Sequence, residues 1–156
     1  MQQPDYAIEM VTSKTPNEAY TAINNVHLWW TENFEGSSKR VNDEFKLSFG
    51  ETFIKLRVAA LVNNYKVVWK VIDCFKHFLT NKDEWIGTEI CFDITNLDNK
   101  QTKISFTHFG LLSSLECYNI CTDAWQGYIQ GSLKRLIETG KGSPDKKVHE
   151  SSNIAM

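Results

Sequence analysis

The 156-residue chain contains no run of about 18 apolar residues, so no membrane insertion is expected. It has no basic stripe, and 17 Lys+Arg against 19 Asp+Glu leave a net charge of −2, which argues against nucleic acid as a partner. The opening Met1-Gln2-Gln3-Pro4-Asp5 lacks both the basic and the apolar segment of a secretory signal. None of the four cysteines, Cys74, Cys91, Cys117 and Cys121, stands in a Cys-x-x-Cys pair. The expectation is free, buried thiols in a reducing, cytoplasmic setting, with no metal and no cofactor. There is no internal repeat and no sign of a second domain. What the chain does have is length enough for one real core and aromatic residues at 12%, five of them tryptophan.

In chain order, Asp5 to Ser13 alternates as a first strand. Thr15-Pro16-Asn17-Glu18 is a helix start, with Thr15 as cap, Pro16 at the first helical position and Glu18 closing a capping box. A second short helix is expected over His27-Leu28-Trp29-Trp30, ending near Asn33. Alternation then marks strands at 44–49, 52–61, 65–73, 84–95 and 101–109, separated by turn signals at Gly50-Glu51, Asn63-Asn64 and Asp98-Asn99. Residues 74–82 are irregular. From Ser114 to Thr139 the pattern becomes helical. At about 100° per residue, Cys117, Tyr118, Cys121, Trp125, Tyr128, Ile129, Ser132 and Leu136 share one arc of roughly 120°. Gly140 to Pro144 stops that helix. The reading is one domain over 1–142 and a flexible polar tail over 143–156. Its class is α+β: a curved antiparallel sheet of about six to seven strands around a long C-terminal helix, with two short helices after the first strand. A single helix cannot fill the hollow of such a sheet, so a cavity is expected beneath it.

Trp29-Trp30 after the first helices, Thr107-His108-Phe109-Gly110-Leu111 at the end of the last strand, the helix face Cys117, Cys121, Trp125 and Tyr128, and Gly131-Ser132-Leu133 with Thr139-Gly140-Lys141-Gly142 together resemble the START-like (SRPBCC) superfamily. Within it they are similar to small stand-alone homologues of the activator of the heat-shock-chaperone ATPase. The resemblance covers about residues 5–142. It implies the helix-grip fold and a deep apolar pocket between sheet and helix, and it carries over no catalytic residue.

Read from the residues, the inward apolar side chains Trp69, Ile90, Phe92, Ile104, Phe106, Trp125 and Tyr128 either line a ligand pocket or fill the core. Thr88 and Cys121 join them as candidate ligand-binding positions. His108 shares a face with Ile104 and Phe106 and is the one candidate catalytic residue, a general base or a backbone-bonded structural histidine. Gly127 and Gly131 leave room inside the helix, either for a ligand or for close approach of a strand or loop. Lys55 and Arg57 either face an acidic ligand group or lie on a solvated face, against which Ile54, Leu56 and Val58 compete for burial. Of Trp29 and Trp30, one belongs in the core and the other at the core, the surface or a pocket rim. The leading expectation is a binding module for a hydrophobic small molecule. A polyketide cyclase or dehydratase working through His108, Tyr128 and Thr88 is the alternative. A chaperone partner is the third reading, and a homodimer is compatible with all of them.

Overall fold

Thr15 caps the first helix as its sequence dictates. Its hydroxyl accepts the Glu18 N–H and the Glu18 carboxylate accepts the Thr15 N–H, both at 3.1 Å, and α1 runs Pro16–Asn24. A single 3-10 turn, Val26–Leu28, follows. The computed structural model describes residues 5–98 and 100–146. Seven strands form one sheet: β1 Tyr6–Thr12, β2 Phe34–Gly36, β3 Glu44–Phe49, β4 Thr52–Val62, β5 Lys66–Phe75, β6 Glu89–Leu97 and β7 Gln101–Phe109. Every pairing is antiparallel, in the order β1-β7-β6-β5-β4-β3-β2. The first strand thus closes on the last, with Tyr6 opposite His108. Two register slips on β4, at Lys55/Leu56 and Val58/Ala60, are bulges that sharpen the bend of the sheet.

The inner face follows the period-2 pattern. Phe45 and Leu47, Ile54, Leu56 and Val58, Val67 and Trp69, Ile90 and Phe92, and Ile104 and Phe106 are all buried. Lys55 and Arg57 take the opposite face and pair there with Glu44, Arg57 at 2.9 Å and Lys55 at 3.6 Å. Of the two readings of this pair the structure takes the solvated face, since Ile54, Leu56 and Val58 occupy the face that excludes water.

The long C-terminal helix, α2, covers residues 118–139. It is α-helical over Tyr118–Gln126, π-helical over Gly127–Leu133, and α-helical again over Lys134–Thr139. Gly140, at φ 85°, ends it in the left-handed region. A strict 100° turn would place Leu133 and Ile137 about 100° and 140° from the centre of the buried arc. Both are buried nonetheless, because the π turn inserts one extra residue and rotates the rest of the helix back onto the core.

Four sequence expectations change. The helix begins at Tyr118, four residues later than read, and Glu84 accepts the Glu116 and Cys117 amides just before it. The strand read over 84–95 begins at Glu89, since Gly87 takes φ 90° and breaks it. Trp85 turns into the core there, and Ile86 is left outside. The edge strand β2 was not visible in the alternation. Finally, part of the polar segment after 142 is bonded to the domain. Asp145 N–H donates to the Trp30 carbonyl at 3.0 Å, the Glu32 N–H donates to the Asp145 carbonyl at 2.9 Å, and Ser143 N–H donates to Ser132 Oγ at 2.8 Å. The remainder of that tail, 147–156, and Asn99 of the Asp98-Asn99 turn lie outside the described residues.

Candidate functional site

Most of the expected lining is closed core. Trp69, Ile90, Phe92 and Phe106 are fully buried and Ile104 is nearly so. Their rings interlock: Trp69 meets Phe92 at 5.3 Å and Phe45 at 5.3 Å, and Phe92 meets Phe106 at 5.3 Å. The Trp69 indole N–H has no partner among the described residues.

His108 is closed off as well. Thr88 gives its only hydroxyl proton to the Trp85 carbonyl at 2.7 Å, so at 2.9 Å it accepts the His108 Nε2–H. His108 Nδ1 in turn accepts the Trp125 indole N–H at 3.0 Å. Burial, and then the nearby Lys76 charge, hold the imidazole neutral, its pKa pushed down to about 3. The ring is fully buried, and both nitrogens are occupied by protein. This is the structural histidine, with no nitrogen free for a substrate. Gly110 holds the arrangement tight: at φ 96°, an added Cβ would stand 2.7 Å from the Thr88 methyl.

The open space lies further along the helix, at the end of the sheet seam. A cavity of about 50 Å³ is walled on one side by Trp30, on the sheet side by Phe49, Thr52 and Ile54, and on the helix side by Cys121, Ala124, Trp125 and Tyr128. The β5–β6 connection closes it with Lys76, Phe78 and Trp85, and Ile120 stands at the rim. Three tryptophans frame the walls: Trp125 lies 4.8 Å from Trp30 and stacks on Trp85 at 5.9 Å and 6°. Of the adjacent pair, Trp29 sits in the core and Trp30 reaches the cavity wall. The rim side chains Phe78 and Ile120 are 43% and 57% exposed.

Lys76 is the residue that the sequence reading missed. It is 5% exposed, and its Nζ rests 3.7 Å from the centre of the Trp85 ring and 5.7 Å from that of Phe78. The signal was present in the parity of Cys74-Phe75-Lys76: Cys74 points in and Phe75 out, so Lys76 points in again. The wall that carries it is tied to the start of α2 by two carboxylates. Glu84 accepts the Glu116 and Cys117 amides, and Glu116 accepts the Thr80 and Asn81 amides.

All four cysteines are free and buried. The hydrogen bond to Cys121, together with burial, pushes the Cys117 thiol up, and burial holds Cys74 and Cys91 up at about 11. Among the described residues no three His, Cys, Asp or Glu side chains gather as a metal site. Nor is any helix among them long and apolar enough to cross a membrane. Gly127 and Gly131 meet nothing within 4 Å at an added Cβ, so the close-approach reading of them is corrected. They open on a surface groove of about 350 Å³ on the outer side of α2, shared with Tyr128 and Asp145. There the Tyr128 hydroxyl donates to the Asp145 carboxylate at 2.6 Å, and burial raises the pKa of both groups. A second open groove, of about 460 Å³, lies between α1 and the end of α2, and its wall is more polar than that of the cavity at the seam.

No family model and no curated protein matches the chain. Solved structures do. The chain is similar to the Aha1 dimer from Colwellia psychrerythraea, with 25% identity and a TM-score of 0.72 over 89% of this chain and 99% of that one. It is similar to protein MLL2253 from Mesorhizobium loti, with 14% identity and a TM-score of 0.66 over 85% of this chain and 97% of that one. An HSP90 activator from Plasmodium falciparum aligns with 17% identity and a TM-score of 0.59 over 88% of this chain and 96% of that one.

Proposed function

Starting from a chain with the START-like helix-grip fold, of the Aha1-homologue kind, we propose that it is a binding module for a small apolar molecule at the seam between sheet and α2. The observation that carries this reading is the aromatic-walled cavity, apolar on nearly every side and open at Phe78 and Ile120. At about 50 Å³ it is larger than the roughly 30 Å³ that one water occupies in the liquid. A guest therefore places one end inside and lies with the rest across the rim. The interlocked core behind it, from Trp69 to Phe106, gives the site a rigid floor.

Because Trp30, Trp85 and Trp125 line the walls, tryptophan emission reports occupancy. Titration with hexan-1-ol should change it saturably. Ala124→Leu, which projects a larger side chain from α2 into the cavity, should abolish the response without unfolding the protein. An unsaturable response, or one that Ala124→Leu leaves intact, would overturn the reading. A cyclase-type enzyme would have to work without His108, whose two nitrogens are taken.

A second reading has its own support. The likeness to an Aha1 dimer and to an HSP90 activator, over nearly the whole of both proteins, favours a chaperone partner. Pull-down with a chaperone of the HSP90 type, and a change in its ATPase rate on addition of this protein, would test it. No binding and no rate change would remove it.

A further inference from the structure

Two polar side chains of this mostly apolar cavity, Lys76 and Thr52, are more than nine-tenths buried. A buried ammonium ordinarily sits against a carboxylate. Lys76 has none within ion-pair reach among the described residues, and its Nζ instead rests on the faces of Trp85 and Phe78. The acid further along the same connection, Glu84, already gives its two oxygens to the Glu116 and Cys117 amides. Thr52 Oγ1 accepts the His77 N–H at 3.1 Å, and its own proton has no acceptor among the described residues. The cavity thus presents an amine and a spare hydroxyl proton, with no carboxylate among the described residues bonded to either.

We propose that this cavity takes a monocarboxylic acid with an apolar tail, anchored by Lys76; the proposal rests on the binding-module reading and names its guest. The dimensions fit the head group. About 50 Å³ accommodates a carboxylate and a methylene or two, and the tail leaves between Phe78 and Ile120, the two exposed apolar side chains at the rim. One ammonium neutralises one charge. A dianionic phosphate would leave its second charge against Trp30, Ile54 and Trp125, so a carboxylate is the better match. Trp85 holds the ammonium in place by cation–π attraction while the site is empty, which spares the guest the cost of ordering a free lysine.

The test compares two probes of equal length, hexanoate and hexan-1-ol, by tryptophan emission and by calorimetry, on the natural protein and on Lys76→Met. The natural protein should bind hexanoate at least ~10-fold more tightly than hexan-1-ol, the order of change that a charge-assisted hydrogen bond supplies. Lys76→Met, which keeps the apolar stem, should lose that preference. Equal affinity of the natural protein for both probes overturns the anchor while the binding module stands, and it does so without the variant. A preference that survives in Lys76→Met also overturns the anchor. Binding of neither probe removes the binding module, and the anchor with it.

Discussion

Lys76 and His108 illustrate opposite ways for a buried polar residue to exist. His108 is fully satisfied. Its folded pKa, about 3, lies below the ordinary 6.5, so the unfolded chain binds a proton that the folded one refuses. The stability it contributes is complete above pH 6.5 and is lost as pH falls from there towards 3. Denaturant unfolding between pH 6.5 and 5, where carboxylates of ordinary pKa stay ionised, should lose up to about 1.4 kcal/mol per pH unit. His108→Gln should flatten that slope. His108→Ala, which orphans the Trp125 indole N–H and leaves a cavity, should cost about 3 kcal/mol. Lys76 instead rests on two aromatic faces, with no carboxylate partner among the described residues. Lys76→Met should therefore raise the stability of the unliganded protein by about 1 kcal/mol, seen as a higher midpoint in urea. A fall in the midpoint would mean that the ammonium is better paired than its contacts indicate.

At the scale of elements, α2 carries two glycines whose Cβ positions are open, and Gly127 has ordinary helical dihedrals of −65° and −44°. Gly127→Ala and Gly131→Ala should each stabilise by about 0.5–1 kcal/mol in denaturant melts, because alanine restricts the unfolded chain at no steric cost. A loss at Gly131 would show that the π turn needs glycine. That turn was legible in part: Cys117, Cys121, Trp125, Ile129, Leu133 and Ile137 recur every four residues, a period too long for a straight α-helix. An arc drawn at 100° per residue hid it. Strands β3 and β7 were readable because one face excludes water along their whole length, and β4 and β5 because it does so over Thr52–Val58 and Val67–Val71. β2 was not, because a three-residue edge strand has too few positions to show alternation. The start of β6 was overrun because Ile86, Thr88 and Ile90 keep parity across a turn that only Gly87 betrays.

For the whole molecule, the sequence conveyed the architecture but placed the cavity too deep. Trp69, Ile90, Phe92, Ile104 and Phe106 have the right parity to face the helix, but parity says nothing of how much space remains once five tryptophans are packed. Which side chains met which depended on loops, above all the β5–β6 connection that carries Lys76, Phe78 and Trp85. The chain just after the helix was illegible for a related reason. Gly140 and Pro144 correctly end the helix, yet residues 143–146 return along 30–33. Asp145→Ala should cost about 1 kcal/mol by removing the acceptor of the Tyr128 hydroxyl. It should also shift hexan-1-ol titrations, since Tyr128 lines the cavity. Unchanged stability and titration together would show that the bond is incidental.

Asp145 also joins places far apart along the chain: its amide and carbonyl grip the backbone at Trp30 and Glu32, and its carboxylate grips Tyr128. Two walls of the cavity therefore hang from a single residue downstream of the helix. A tether or load attached beyond Lys146 would pull on those walls directly, so tension on that end of the polypeptide would be felt as a change in the spacing of Trp30 and Tyr128.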